Sequence, residues 1–296
     1  VGYALIEIMR IEYSISELCE ALKISRSGYY VWRRGTGSVR RDQNRKLKEQ
    51  IRAIHEHRHT KGYGSPRMTE ELSARGFGCS RNRVARLMRE EGIRARPRRP
   101  FRPRTTEQDK AAVASPNLLS NSEPPNAPGQ QIVSDITYIR TAEGWLYLVI
   151  VLDLYSRAIV GWDLSCSLEA DGVSRAVKRA IKSGYVRPEA IFHSDRGCQY
   201  TSKAVREVLA GPALRQSMSA RGYCYDNAFA ESCFATIKTE VLPDGGVFSS
   251  HQKARTEIFD YLETFYNRRR LHSAIGYLSP ANFLQLYFSK QQSYLN

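Results

Sequence analysis

The sequence contains no long apolar run and no closely paired cysteines. Its longest apolar stretch, residues 146–152, is far short of the roughly 20 residues that a membrane-spanning helix needs. The N-terminus also lacks the basic-then-apolar pattern of a secretion signal. Six cysteines are scattered without a C-x-x-C pair, which argues against a disulfide framework or a zinc ribbon. We therefore expect a cytoplasmic protein with reduced thiols, no membrane partner and about two domains.

Positive charge is concentrated in the N-terminal third. Residues 1–104 hold 25 Lys and Arg against 11 Asp and Glu, whereas residues 105–296 hold 20 against 19. Neutralisation of DNA phosphates by basic residues drives binding without reference to base sequence. The asymmetry therefore indicates a basic DNA-binding module joined to a catalytic module of nearly zero net charge. A solvated basic surface that binds nothing in particular is the alternative.

Helical patterns dominate residues 1–95. Residues 16–34 predict two short helices, the first capped by Ser16, with the size of a helix-turn-helix, although a plain helical hairpin would look similar. Three more helices are predicted over 43–58, from Ser65 to Gly76 and from Ser80 to Gly92.

The helix that follows Ser80 carries four arginines that we predict to contact DNA, with a solvated helix face as the alternative. They are Arg81, Arg83, Arg86 and Arg89. Residues 96–130 then read as an extended basic, Pro-rich linker, in which Arg98 and Arg99 are further candidate DNA contacts.

From residue 131 the pattern becomes that of an α/β domain. Three strands in succession are followed by alternating helices and strands, which is the order of a ribonuclease H-like core with a mixed sheet. We expect this core to span residues 131–245 and a C-terminal helical extension to span 246–296, with helices over 250–267 and 280–288. A small basic patch is predicted at 267–272 within the extension.

Three carboxylates stand out in this core. Asp135 lies in a predicted strand, Asp195 follows a short apolar run, and Glu231 lies in a helix that begins near Asp226, with 35 residues between the last two acids. Each acid alone has an ordinary structural explanation, such as a strand end, a turn or a surface charge. Their joint spacing and flanking residues favour a catalytic site.

Converging carboxylates suit phosphoryl transfer. Two Mg²⁺ ions about 3.5–4 Å apart stabilise both the attacking and the leaving oxygen of an in-line displacement. Mg²⁺ prefers hard oxygen ligands, so Asp135, Asp195 and Glu231 are the predicted metal ligands, with Mn²⁺ as a substitute ion.

The predicted helix around Glu231 has one apolar stripe and one polar flank. The stripe recurs at helical spacing and comprises Ala230, Phe234, Ile237 and Val241. Glu231 lies on the flank together with two candidate DNA-binding side chains, Asn227 and Lys238.

Several other polar residues resemble site residues but have simpler explanations. Asp153 is predicted to end a strand and Asp226 to cap the helix of Glu231. His193 is predicted to be packed or hydrogen-bonded rather than to touch substrate. The cluster of His55, His57 and His59 lacks the cysteine pair of a zinc domain.

Residues 16–283 resemble the second-frame protein of DDE insertion-sequence transposases of the IS-three kind, in the D,D-35-E class that includes retroviral integrases. The matching segments include Arg26-Ser-Gly-Tyr-Tyr30, Lys61-Gly-Tyr-Gly64, Ser134-Asp-Ile-Thr-Tyr138, His193-Ser-Asp-Arg-Gly197, Asp226-Asn-Ala228 and Tyr266-Asn267. Tyr223 and Cys233 depart from the family's usual residues, but neither is a catalytic position.

This resemblance implies a metal-dependent transposase that nicks element ends and then uses the freed 3′ hydroxyl to attack another phosphodiester. It also implies that Lys238 holds a DNA phosphate. The implied partners are the transposon ends and target DNA, further copies of the chain on DNA, and the first-frame protein or its fusion, in a bacterial, nucleoid-associated setting. Val1 in place of methionine is expected if the chain begins near the frameshift junction.

Two alternatives remain open at the level of sequence. One is a catalytically silent, transposase-derived DNA-binding regulator. The other is a ribonuclease H-type hydrolase that acts on hybrids, whose core would need neither the basic N-terminal region nor the linker.

Overall fold

A computed structural model of the protein describes residues 2–35, 39–96, 115–120, 122–219 and 228–293. The chain forms two compact units. The first comprises residues 1–58 and 63–95, and the second comprises residues 59–62 and 96–296.

The described part of the first unit is helical. Its helices are α1 (Gly2–Met9), α2 (Ile15–Ala21), α3 (Arg26–Arg33), α4 (Val39–Glu56), α5 (Ser65–Ala74) and α6 (Arg81–Glu90). Two separate apolar clusters hold them. Ile6, Leu18 and Tyr29 join α1 to α3, and a larger cluster that includes Ile51 and Leu87 joins α4 to α6.

Hydroxyl caps fix where several of these helices begin. Ser14, not the predicted Ser16, caps α2, because its side chain accepts from the amide of Glu17 while Glu17 reaches back to the amide of Ser14. This reciprocal arrangement satisfies two amide donors that the first turn leaves free. Ser80 caps α6 as predicted.

The second unit is built on a five-stranded mixed sheet of order β3-β2-β1-β4-β5. Its strands are β1 (Gln131–Thr141), β2 (Gly144–Asp153), β3 (Ile159–Ser165), β4 (Ile191–Ser194) and β5 (Arg215–Met218). The first three are antiparallel, and β1, β4 and β5 are parallel. Together with its helices, this sheet confirms the predicted ribonuclease H-like fold.

The helices of the second unit lie on this sheet or follow it in the C-terminal extension. They are α7 (Ala170–Lys182), α8 (Cys198–Thr201), α9 (Lys203–Ala210), α10 (Ala228–Val241), α11 (His251–Asp260) and α12 (Pro280–Ser293). The single helix predicted over 250–267 is interrupted, because α11 continues into a π-helical turn at Tyr261–Tyr266.

Alternation along β1 separates the two faces of the sheet. Ile132 joins a core formed with α7 and α9, against which Ile136 also packs. Because successive side chains of a strand point to opposite faces, Asp135 lies on the other face. Helix α10 packs against β1, and its Lys238 interacts electrostatically with Asp135, which places α10 on the face of Asp135.

The described residues just before the sheet contact its edge. The amide of Leu118 donates to Ser217 Oγ at 2.9 Å, and the amide of Met218 donates to the Pro116 carbonyl at 3.3 Å. Residues 116–118 of the predicted linker therefore lie along β5. Among the helices that the structure describes, none is both long and apolar enough to cross a membrane.

Candidate active site

Asp135 and Asp195 both lie just beyond the last paired residues of β1 and β4. The parallel register places Gln131 beside Ile191 and Val133 beside His193. Asp135 and Asp195 each follow two residues after this last pair, and the negative charges of both act on the buried Tyr200 hydroxyl group. Both carboxylates are partly exposed, so they can meet a ligand from solvent.

Local amides orient both carboxylates. The amide of Gly197 donates to Asp195 Oδ1 at 3.0 Å, and the amide of Ile136 donates to Asp135 Oδ1 at 2.7 Å. A Cβ atom at position 197 would lie 3.1 Å from Asp195 Oδ1 and 2.9 Å from Gln199 Oε1. Glycine at 197 therefore leaves room for the Asp195 carboxylate.

Tyr200 lies behind the two aspartates and was not singled out from the sequence. Its ring is buried, and its hydroxyl group lies 2.9 Å from Ser134 Oγ. Burial, and then the negative charges of Asp135 and Asp195, raise the pKa of Tyr200 well above that of free tyrosine. The phenol therefore stays neutral at physiological pH. The sequence shows only that Tyr200 lies five residues after Asp195. Its contact with Ser134 becomes visible only in the folded structure.

Glu231 lies on α10, whose packing largely follows the predicted stripe. Ala230, Phe234 and Ile237 are buried as predicted, whereas Cys233 rather than Val241 completes the buried set. Glu231 itself is exposed. Asn227 and Asp226 lie outside the described residues.

Glu231 is not grouped with the two aspartates. In the part of the chain that the structure describes, no three His, Cys, Asp or Glu side chains are close enough together to hold a metal ion. The strand pairing thus supplies two adjacent carboxylates, and the third predicted ligand lies on a helix that packs on the same strand.

Asp153 and His193 have structural roles, as predicted. Asp153 is buried, and it accepts hydrogen bonds from the amides of Gly129 and Ser156 at 2.9 and 2.8 Å. His193 is fully buried between Ser217 Oγ at 2.8 Å and Ser219 Oγ at 3.1 Å.

The histidine cluster does not form a metal site within the described residues. His59 Nε2 lies 2.7 Å from Asp260 Oδ2, and its ring stacks on Phe265 with centroids 4.9 Å apart. This histidine therefore packs against the C-terminal extension.

The four arginines of α6 differ in their surroundings. Arg83 Nε donates to Asn44 Oδ1 at 3.0 Å, and Arg86 forms an ion pair with Glu90. Arg81 and Arg89 are exposed at opposite ends of the helix. Arg98 and Arg99 lie outside the described residues.

The predicted basic patch at 267–272 is only partly a surface feature. Arg268 and Arg269 are exposed, but Arg270 is buried against Glu240 of α10. No local pattern indicates this difference, because the partner lies 30 residues away.

Three family models match the chain. Two integrase core domain models match residues 125–224 and 213–280. An HTH-like domain model matches residues 42–101, which contain most of α4 and the whole of α5 and α6. The helix-turn-helix-like region is thus placed C-terminal to the helical pair at 16–34.

Several bacterial proteins are similar over nearly the whole length. "Transposase InsF for insertion sequence IS3A" from Escherichia coli is 40% identical over 95% of this chain and 97% of its own. "Insertion element IS600 uncharacterized 31 kDa protein" from Shigella sonnei is 38% identical over 91% of this chain and 98% of its own. Among solved structures, the HTLV-2 integrase catalytic core domain in complex with magnesium (trimeric form) is 14% identical, covering 53% of this chain and 97% of its own with a TM-score of 0.42.

Proposed function

The chain belongs to the IS3 family of insertion-sequence transposases, and we propose that it catalyses metal-dependent cleavage and strand transfer of the DNA of such an element. The observation that carries this proposal is the parallel register of β1 and β4, which leads to Asp135 and Asp195 at adjacent positions. A paired carboxylate site in an integrase core is what phosphoryl transfer on DNA requires.

The chemistry of the donors favours a hard divalent cation. Asp135, Asp195 and Glu231 offer only oxygen atoms, which are the ligands that Mg²⁺ prefers, and Mn²⁺ accepts the same set. We propose that these three residues hold two such ions. When bound, the ions would neutralise charge on the reacting phosphate and lower the pKa of the attacking hydroxyl group.

The residues around the acids would orient the DNA. Lys238 lies seven residues after Glu231 on α10, so the two side chains project to the same side of the helix after two turns. Its ammonium group interacts with Asp135, close to where a scissile phosphate would meet the metals. We propose that Lys238 contacts this phosphate, and that Asn227 lies beside it on the DNA path.

The first unit would bind DNA without regard to base sequence through α6. Arg81 and Arg89 would contact the phosphates, and Arg83 and Arg86 would lie close to the bound DNA. Arg98 and Arg99 would add further contacts with the DNA. Assembly as a homo-oligomer on DNA and joint action with the first-frame protein remain predictions.

Strand joining tests the proposal directly. The full chain, alone and fused to the first-frame protein, is incubated with Mg²⁺ and a pre-nicked duplex that carries the element's own ends. Joined product supports the proposal. DNA binding by both forms without cutting or joining would instead favour the silent regulator, and cleavage confined to an RNA–DNA hybrid would favour a ribonuclease H-type hydrolase.

The affinity of the second unit for DNA is expected to depend on the protonation of Lys238. Burial lowers its pKa to about 8, although the negative charge of Asp135 opposes this shift. The ammonium group is therefore almost fully charged below about pH 7, half charged at about pH 8 and mostly neutral above about pH 9. If bound DNA keeps the proton in place, affinity should fall about tenfold per pH unit above 8.

The measurement is DNA affinity by fluorescence anisotropy between pH 7 and 9.5. Lys238→Arg should remove this pH dependence because arginine stays charged throughout, and Lys238→Met should bind weakly at every pH. Because the pKa of Lys238 is lower in the folded than in the unfolded chain, folding stability should rise, not fall, as the pH increases from about 8 to about 10.5. A wild-type affinity that does not change across pH 8 would contradict the assignment.

Arg81→Ala and Arg89→Ala are each expected to weaken DNA binding in a salt-dependent way. Removing one arginine–phosphate ion pair should reduce the slope of log affinity against log salt concentration by about 0.9. Arg75→Ala is the matched control, since Arg75 lies in the same unit but is engaged with Glu71. Equal slopes for the wild type and all three variants would show that α6 does not contact DNA phosphates.

A further inference from the structure

Helix α10 is held at its C-terminal end by a buried ion pair with the extension. Glu240 Oε2 accepts from Arg270 Nε, and Glu240 Oε1 accepts from Arg270 Nη2, both at 2.8 Å. The two side chains are only 5% and 3% exposed, respectively. Such a two-pronged contact between a planar guanidinium group and a carboxylate fixes orientation as well as distance.

The π-helical turn supplies the surroundings of this pair. The Tyr261 hydroxyl group donates to Glu240 Oε2 at 2.6 Å, and the Arg270 guanidinium group lies 5.8 Å from the centre of the Tyr266 ring. Cys233 Sγ donates to the Tyr266 hydroxyl group at 3.3 Å. The turn thus contacts α10 at two positions, and π-helical turns are frequent at functional sites.

The extension is itself anchored to the sheet. The side chain of Asn267 accepts from the amide of Ile159 at 2.9 Å and donates to its carbonyl group at 2.8 Å. Ile159 is the first residue of β3, the edge strand. Residues 267–270 therefore connect α10 to strand β3, through Arg270 at one end and the hydrogen bonds of Asn267 at the other.

Two other hydrogen bonds of α10 are single and longer, because Cys233 Sγ donates to the Tyr266 hydroxyl group at 3.3 Å and Arg96 Nη1 donates to the Thr239 carbonyl group at 3.4 Å. The apolar stripe of α10 packs without a preferred angle, as hydrophobic contacts do. Near the N-terminal end of α10, the guanidinium group of Arg157 lies 4.4 Å from the centre of the Phe229 ring. That ring is 42% exposed, and cation–π contacts at exposed sites are weak. The pair of Glu240 and Arg270 is the contact best able to set the rotation of α10.

We propose that Arg270 is a positioning residue for Glu231, acting through Glu240 to fix the rotation of α10 and so aim the third carboxylate at Asp135 and Asp195. The inference rests on the proposed function. Glu231 is nine residues before Glu240 on the same helix, so a rotation of α10 moves both. A 20° rotation would displace a side-chain tip about 5–6 Å from the helix axis by about 2 Å, and a misplacement of about 1 Å can cost about 100-fold in rate.

Arg270→Lys in the full chain tests this inference. Lysine keeps the buried charge but cannot form both parallel hydrogen bonds. We expect the joining rate to fall about 10- to 100-fold, the affinity for DNA to stay unchanged, and the Mg²⁺ concentration that gives half the maximal rate to rise. Arg269→Lys, at the neighbouring exposed arginine, should leave all three unchanged.

A second variant separates positioning from stability. Replacing the network by apolar side chains, with Glu240→Leu, Tyr261→Phe and Arg270→Met together, removes the directional contact without leaving a buried charge, and such exchanges are often neutral for stability. We expect a thermal midpoint close to that of the wild type with joining still at least about tenfold slower.

The outcomes are distinct. A wild-type chain that joins no DNA, either alone or fused to the first-frame protein, refutes the proposed function. The positioning role is overturned if the wild-type chain joins DNA and a folded Arg270→Lys or apolar variant joins DNA equally fast at the same Mg²⁺ concentration. If the apolar variant does not fold, the Arg270→Lys measurement decides the question.

Discussion

Replacing Asp135 or Asp195 by asparagine, or Glu231 by glutamine, is expected to reduce strand joining about 1,000-fold while the fold persists. The amide keeps the size of the side chain but removes the negative charge that holds Mg²⁺. Losing metal stabilisation worth about 4 kcal/mol in the transition state corresponds to a rate loss of this size. The measurement is joined product formed on pre-nicked element ends, together with Mg²⁺ affinity by calorimetry.

Asp171→Asn is the control for these variants, because Asp171 is an exposed carboxylate in the first turn of α7. It should join DNA at the wild-type rate. Since Asp135 and Asp195 both follow the last paired residues of β1 and β4 and are proposed to share the metal ions, either aspartate variant should also weaken Mg²⁺ binding in the absence of DNA. If an aspartate variant retains both Mg²⁺ binding and strand joining, the replaced aspartate is not part of the metal site.

Gly161→Ala is expected to lower the free energy of unfolding by about 3 kcal/mol, at the upper end of the usual cost of overpacking. A Cβ atom at this position of β3 would lie 2.2 Å from the carbonyl oxygen of Ala176 and 2.8 Å from the amide nitrogen of Ala180. Both contacts are with the backbone of α7, so no side-chain rotation relieves them. Urea denaturation of the full chain measures the change.

Gly245→Ala is the matched control, because no atom lies within 4 Å of a Cβ built there. It should unfold at the wild-type urea concentration. If Gly161→Ala does so as well, α7 must be free to move away from β3 at little cost, and the close packing of the two would not be what stabilises the core.

The class of the fold and the elements that carry Asp135 and Glu231 were predictable from the sequence. Alternating apolar residues predicted the first three strands, and helical spacing predicted most of the buried stripe of α10, because both signals are local and repeat with the period of the element. The structure confirms the strand order from β1 to β5 and most of that stripe.

Local signals failed where a partner was distant in the chain or where two equivalent hydrogen-bond acceptors lay close together. Ser16 and Ser14 both precede a helical pattern, and only the reciprocal contact with Glu17 identified Ser14 as the cap. A continuous helix was predicted over 250–267, but the contacts of Tyr261 and Tyr266 with α10 accompany a π-helical turn there.

The residue types along the chain indicate the proposed chemistry through three oxygen-bearing acids and an excess of basic residues before them, and their periodicities predict the mixed sheet. Which of these groups meet depends on the folded arrangement. The register of β1 and β4, the position of Tyr200 behind the aspartates and the burial of Arg270 against Glu240 all depend on contacts between residues far apart in the chain. Such contacts leave no periodic trace in the sequence, since they are set by how whole elements pack.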